Sequence, residues 1–138
     1  MTYNFDSEEF RKTQLYESFM EENTGRGLLK VEAFTANRAY PLEGVEIIIS
    51  KDFGEDKVIF FDRKTDSSGM IETIVLPTKK QTKEIENASD IVFTAYDLVA
   101  KYPEFNLEKK FTVSIFDDIK VIQPVSFPIN DLIEGEQN

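Results

Sequence analysis

Gly27–Phe34, GLLKVEAF, and Gly44–Ser50, GVEIIIS, decide the fold. In the first, Leu29, Val31 and Ala33 alternate with Lys30, Glu32 and Phe34; in the second, Val45, Ile47 and Ile49 alternate with Glu46, Ile48 and Ser50. A period of two sends one set of side chains to a dry interior and the other to solvent, which is the pattern of a half-buried strand. Outward from these, segments 57–63, 70–76, 91–102, 109–116 and 119–126 are rich in Val, Ile, Phe and Thr and read as further strands. Turn formers separate them: Pro41 with Gly44, Asp52–Asp56 around Gly54, Asp66-Ser67-Ser68-Gly69, and Asp117-Asp118. The seven strands predict an all-β fold, a seven-stranded antiparallel Greek-key β-sandwich over residues 27–130. One connection differs. Residues 77–90, PTKKQTKEIENASD, are polar and long, and predict a solvated crossover between the two sheets whose Lys79–Lys83 cluster has no assigned role.

Toward the N-terminus the pattern changes. Asp6–Asn23 contains no Gly or Pro and favours helix, with Asp6 as N-cap, Glu9 three residues on, and Asn23-Thr24-Gly25 as the stop. At about 100° per residue Leu15, Tyr16, Phe19 and Met20 share one stripe, and Phe10 projects to the other side. The stripe is expected to cover the chain's own sheet. The sharper expectation makes residues 1–26 a helical arm that binds a protein partner through Phe10, Leu15, Tyr16, Phe19 and Met20. Phe60 and Phe61 are consecutive and cannot both face one core, so one of them is expected beneath this helix. Residues 131–138 read as a short acidic tail.

Composition narrows the chemistry. The 138 residues suit one domain, and 12 Phe with 5 Tyr supply its core without disulfides. A net charge of −10 repels phosphate backbones, so nucleic acid is not an expected partner. With no His and no Cys, Ser-His-Asp triads, Cys-His dyads and His- or Cys-ligated metals are excluded within the chain. Acidic residues recur at turns, but Asp62 and Asp66 are interrupted by Arg63 and Lys64, and no EF-hand spacing exists. No metal, cofactor or catalytic residue is therefore expected. No apolar run is long enough to insert into a membrane, and no secretory signal is visible at the start, MTYNFDSEEF.

Five quoted stretches carry a resemblance: GLLKVEAF, YPLEGVEIII, TDSSGMIETIVLP, TAYDLVAKYPEF and FTVSIFDDIKVIQPVSFPI, in that order. In them Pro41 fixes φ into a turn, Gly44 permits close backbone approach, Asp66 can bond N–H groups two residues on, and Gly69 takes a positive φ. The chain resembles the carboxypeptidase regulatory-like, or transthyretin-like, β-sandwich family. Its ending and Leu-Pro strand end look similar to the version found in spore cortex-lytic and peptidoglycan-associated bacterial proteins. The resemblance implies a non-catalytic structural or protein-interaction module of a bacterial spore, cell-wall or phage-particle assembly, cytoplasmic or incorporated into the particle. Its partner would be another protein or a second copy; the alternative is a carbohydrate- or peptidoglycan-binding accessory domain with a glycan ligand. A third possibility is an enzyme in which Lys, Tyr and carboxylates act together, which a pocket with converging polar groups would favour.

Overall fold

A computed structural model describes residues 1–35 and 40–128; the acidic tail 131–138 and the expected sandwich end at Asn130 lie outside the described residues. The elements in chain order are β1 (Thr2–Asn4), α1 (Glu8–Arg11), α2 (Gln14–Glu22), β2 (Gly25–Thr35), β3 (Tyr40–Pro41), β4 (Glu46–Phe53), β5 (Asp56–Lys64), β6 (Ile74–Thr78), β7 (Thr94–Tyr102), β8 (Leu107–Ile115) and β9 (Lys120–Ser126). One sheet has the order β1-β5-β4-β7-β8; the other has β3-β2-β6, with β9 beside β2. The inward rows of the two sheets meet in one core, in which Leu29 and Val31 of β2 join Ile47 and Ile49 of β4, Leu98 of β7 and Ile115 of β8, all fully buried. Each such side chain contributes about 1.5–3 kcal/mol by leaving water. The sandwich is therefore the one that the alternation at Leu29–Ala33 and Val45–Ile49 predicts.

All seven predicted strands are present, and two more appear. β1 and β3 are three and two residues long, too short to express a period. Two pairings are parallel, β1 with β5 and β2 with β9, so the sheets are mixed where a wholly antiparallel arrangement is expected from the sequence. The cause is that neither pair is joined by a hairpin. After β8 the chain turns through Asp118, in the left-handed region at φ 58°, leaves the first sheet, and enters the second alongside β2 in the same direction. The Asp66 turn forms as predicted: its carboxylate accepts from Ser68 N at 2.8 Å and Met70 N at 3.1 Å, and Gly69 has φ 73°. Gly44 has φ 84°, but a Cβ at this position would meet nothing within 4 Å, so backbone conformation and not close approach requires glycine there.

The predicted single helix is two. Ser7 Oγ caps α1 by accepting from Phe10 N, and Thr13 Oγ1 caps α2 by accepting from Tyr16 N, each at 3.1 Å. Thr13 offers a hydroxyl where the helix would continue, and its bond restarts the helix in a new direction. Asp6, expected as the cap, instead pairs with Arg11 at 3.3 Å. This break resolves the misplaced Phe10, which turns inward and is fully buried against Tyr3 and Tyr16, with ring centroids 5.4 and 5.6 Å away. β5 has a bulge where β4 steps from Ile49 to Ser50: Ile49 pairs with Phe61 and Ser50 with Ile59, which leaves Phe60 without an opposite residue. Phe60 then packs beneath α2 on Phe19, as the consecutive phenylalanines suggest, with centroids 5.7 Å apart.

The long connection does cross from β6 to the other sheet at β7, but it is knitted to itself and is not a simple solvated span. Gln81 Nε2 donates to the carbonyls of Lys83 and Asp90 at 2.9 and 2.8 Å, and its Oε1 accepts from Val92 N at 3.0 Å. The Asp90 carboxylate, 5% exposed, accepts from Glu86 N and Asn87 N and pairs with Lys83 at 2.6 Å. Lys83 foremost, and then these N–H groups, hold its pKa below the ordinary 3.8 against the opposing effect of burial. A depressed folded value means that this carboxylate stabilises fully above its unfolded range and loses the contribution as pH falls through the folded value. Hydrogen-exchange protection of residues 81–92 should therefore fall in that acid window while β7 stays protected. In Asp90→Ala the segment should exchange fast already at neutral pH, and an unchanged profile would remove Asp90 as its organiser.

Candidate functional site

The inward row of β4 does not stop at Ile49. By the same parity Lys51 and Phe53 continue it, and Lys51 lies opposite Val58, which is fully buried. A lysine thus stands on the core-facing row at the end of the sandwich. α2 lies across that end and presses Phe19 into the core edge-on to Phe53, with centroids 5.5 Å apart. The start of β7 and the Ile91–Phe93 segment form the facing wall. Between them is an open groove of about 620 Å³, lined by Phe19, Phe53, Phe93, Lys51 and Lys79, with Glu22 on the helix side.

The groove is fastened by one polar clasp. Asn23, buried at the end of α2, donates through Nδ2 to the Phe19 carbonyl at 2.8 Å and accepts from the Thr94 hydroxyl. Thr94 also accepts from Lys79 N at 3.2 Å. Helix end, first residue of β7 and the exit of β6 are so tied together, which positions Lys79. Below them the Tyr96 hydroxyl donates to the Pro77 carbonyl, and burial pushes the phenol far above its ordinary value.

Lys51 is half-buried. Its Nζ donates to the Ala95 carbonyl at 2.8 Å and lies 5.9 and 5.8 Å from the ring centroids of Phe53 and Tyr96. Burial lowers its pKa, the Asp97 charge partly opposes the shift, and the Lys79 charge adds to it. The rings offset part of the desolvation cost, as cation–π contacts of about 0.5–2 kcal/mol do. Among the described residues no carboxylate forms an ion pair with it.

The residues expected to bind a partner do not act as one surface. Phe10 is fully buried in the N-terminal aromatic cluster and Phe19 is 4% exposed, so neither is available for contact without unpacking the helices. The reason is the Thr13 break, which folds Phe10 under the chain. Leu15 lines the groove at its α2 side, whereas Tyr16 and Met20 line a separate recess with Arg11 and Thr24. Sequence reasoning misses Lys51 because the apolar run that marks β4 ends at Ile49; the two-residue parity through Val45, Ile47 and Ile49 is the signal that could find it. Among the described residues no three acidic side chains converge as metal ligands, and no helix is long and apolar enough to cross a membrane.

No family model matches the chain, and no curated protein matches it in sequence. Among solved structures it is similar to 5-hydroxyisourate hydrolase of Klebsiella pneumoniae, at 15% identity and a TM-score of 0.49, over 74% of this chain and 90% of that one. It is also similar to an (S)-allantoin synthase, at 14% identity and a TM-score of 0.47, over 76% of this chain and 42% of that one. These are transthyretin-like folds, and at such identity the likeness concerns the fold alone. The expectation of a non-catalytic interaction module, with glycan binding as its alternative, is corrected here. It rests on the absence of His and Cys and on no catalytic residue being expected. Both proteins of similar fold are enzymes by name, which is said of them; in this chain the end of the sandwich holds an open groove with an amine in its wall.

The lysine has a cost that can be measured. Its folded pKa lies below the unfolded value of about 10.5, so the unfolded chain binds more protons in between, and stability rises as pH climbs through that window. Lys51→Met should melt at a higher temperature than the parent at neutral pH and should lack the alkaline rise. A variant less stable at every pH would mean that the ammonium is a net structural support.

Proposed function

We propose that the chain binds small organic anions with an apolar body in the groove between α2 and β7, and acts on them chemically through Lys51. One observation carries this reading: an ammonium without a carboxylate partner among the described residues stands on the core-facing row of β4, in the wall of a groove of small-molecule size. A charge drawn half out of water and left unpaired is a poor stabiliser, and such groups cluster where ligands are handled. Ala95 takes one of its three N–H donors, which leaves two for a carboxylate. Lys79 lines the same groove as a second cation, and Phe19, Phe53 and Phe93 supply flat apolar faces for the body of the ligand. Glu22 on the helix side disfavours a second negative charge there, so a monoanion suits the groove better than a dianion.

A titration of 4-methylbenzoate into isotopically labelled protein, followed by amide resonances, tests the binding half of this reading. Shifts should concentrate at Phe19–Asn23, Lys51–Phe53 and Ile91–Ala95. Lys51→Gln should weaken binding about tenfold, the effect of losing one charged hydrogen bond of about 1.5 kcal/mol. The neutral 4-methylbenzamide should bind the parent no better than the acid binds the variant. Equal binding of acid and amide to the parent would sink the anion site.

A further inference from the structure

We infer that Lys51 forms a reversible imine with an aldehyde or ketone carbonyl carried by the anion in the groove. This rests on the reading of the groove as an organic-anion site and divides the work between its two lysines. In an anion that also carries a carbonyl, Lys79 holds the carboxylate and frees Lys51 to meet the carbonyl carbon.

Three features of the geometry separate Lys51 from an ordinary surface lysine. Its nitrogen is fixed, because the stem runs along the core-facing row of β4 and the Nζ donates to the Ala95 carbonyl at 2.8 Å. The acceptor is a neutral carbonyl. A carboxylate in its place would favour the charged amine; Lys83 in the neighbouring crossover has such a partner, Asp90 at 2.6 Å, and Lys51 has none among the described residues. The surroundings are aromatic, with the Phe53 and Tyr96 rings within 6 Å, and burial foremost favours the uncharged amine, the Asp97 charge partly opposing the shift and the Lys79 charge adding to it. An uncharged Lys51 keeps a hydrogen on Ala95 and directs a lone pair at whatever else the groove holds.

The step balances without any other reactant. The nitrogen lone pair adds to the carbonyl carbon, both amine hydrogens and the carbonyl oxygen leave together as one water, and a C=N bond replaces the C=O bond. Nothing is oxidised or reduced. Protonation of the imine nitrogen restores the charge beside the two rings and makes the attached carbon strongly electron-withdrawing, which is the property that amine catalysis uses.

The test treats the full chain at neutral pH with 4-formylbenzoate and sodium cyanoborohydride, whose hydride fixes any imine as a stable amine, followed by intact mass and peptide mapping. The adduct should lie on Lys51. It should be lost in Lys51→Arg, which keeps the positive charge and cannot form the imine, and slowed in Lys79→Gln. Circular dichroism confirms that both variants are folded. Adduct spread evenly over the lysines, or undiminished in Lys51→Arg, overturns the inference. Benzaldehyde and 4-methylbenzoate separate the two readings. If 4-methylbenzoate binds while 4-formylbenzoate leaves Lys51 unlabelled, the imine is wrong and the anion site stands. If benzaldehyde labels Lys51 as fast as 4-formylbenzoate does, the imine stands and the anion site is wrong.

Discussion

A chain of aromatic contacts closes one end of the sandwich, and the site depends on it. Phe5 stacks on Phe60 at 4.6 Å, Phe60 meets Tyr96 edge-on at 5.0 Å, and Phe19 joins both Phe60 and Phe53. Pairs of this kind add about 0.5–1.5 kcal/mol beyond the apolar area they bury. The bulge in β5 makes the chain possible, because only an unpaired residue can lean out of the ladder far enough to reach the helix. With the end left open, Lys51 would sit in water as an ordinary cation. With it fully sealed, the amine would be unreachable. The helix covers it halfway, and the Asn23–Thr94 clasp fixes how far.

Most of the fold is legible in the sequence because it is written in short-range periods. Leu29, Val31 and Ala33, then Val45, Ile47 and Ile49, place their strands without reference to anything distant, and the Asp66–Gly69 turn is set by local hydrogen bonds. What stays hidden is what depends on contacts far apart in the chain. β1 has three residues and exists because β5 offers it an edge. The direction of β9 is fixed by a sheet it meets only after the whole chain has come round. The site is hidden for a further reason: a lysine in an apolar row looks like the end of a strand, and only the two-residue parity, carried past Ile49, says that the row continues inward.

Electrostatics sets the groove apart from the rest of the molecule. The chain carries a net charge of −10, yet the cations that line this groove, Lys51 and Lys79, outnumber its one acid, Glu22. The average field repels anions at long range, and screening confines that repulsion to about 8–10 Å at ordinary ionic strength. For the anion proposed to bind here, selection would occur at contact, where the direction of the N–H donors matters more than the total charge.

The parallel pairing of β2 with β9 bears on how the chain is made as well as on its final shape. Lys30 faces Ile122 across that ladder, about ninety residues apart, so one side of the first long strand stays unsatisfied until the last described strand arrives. That edge can close only after residues 120–126 have been made. A pairing so distant in the chain is slow to form, and until it does the edge of β2 that β9 covers is an unpaired strand edge of the kind that invites association.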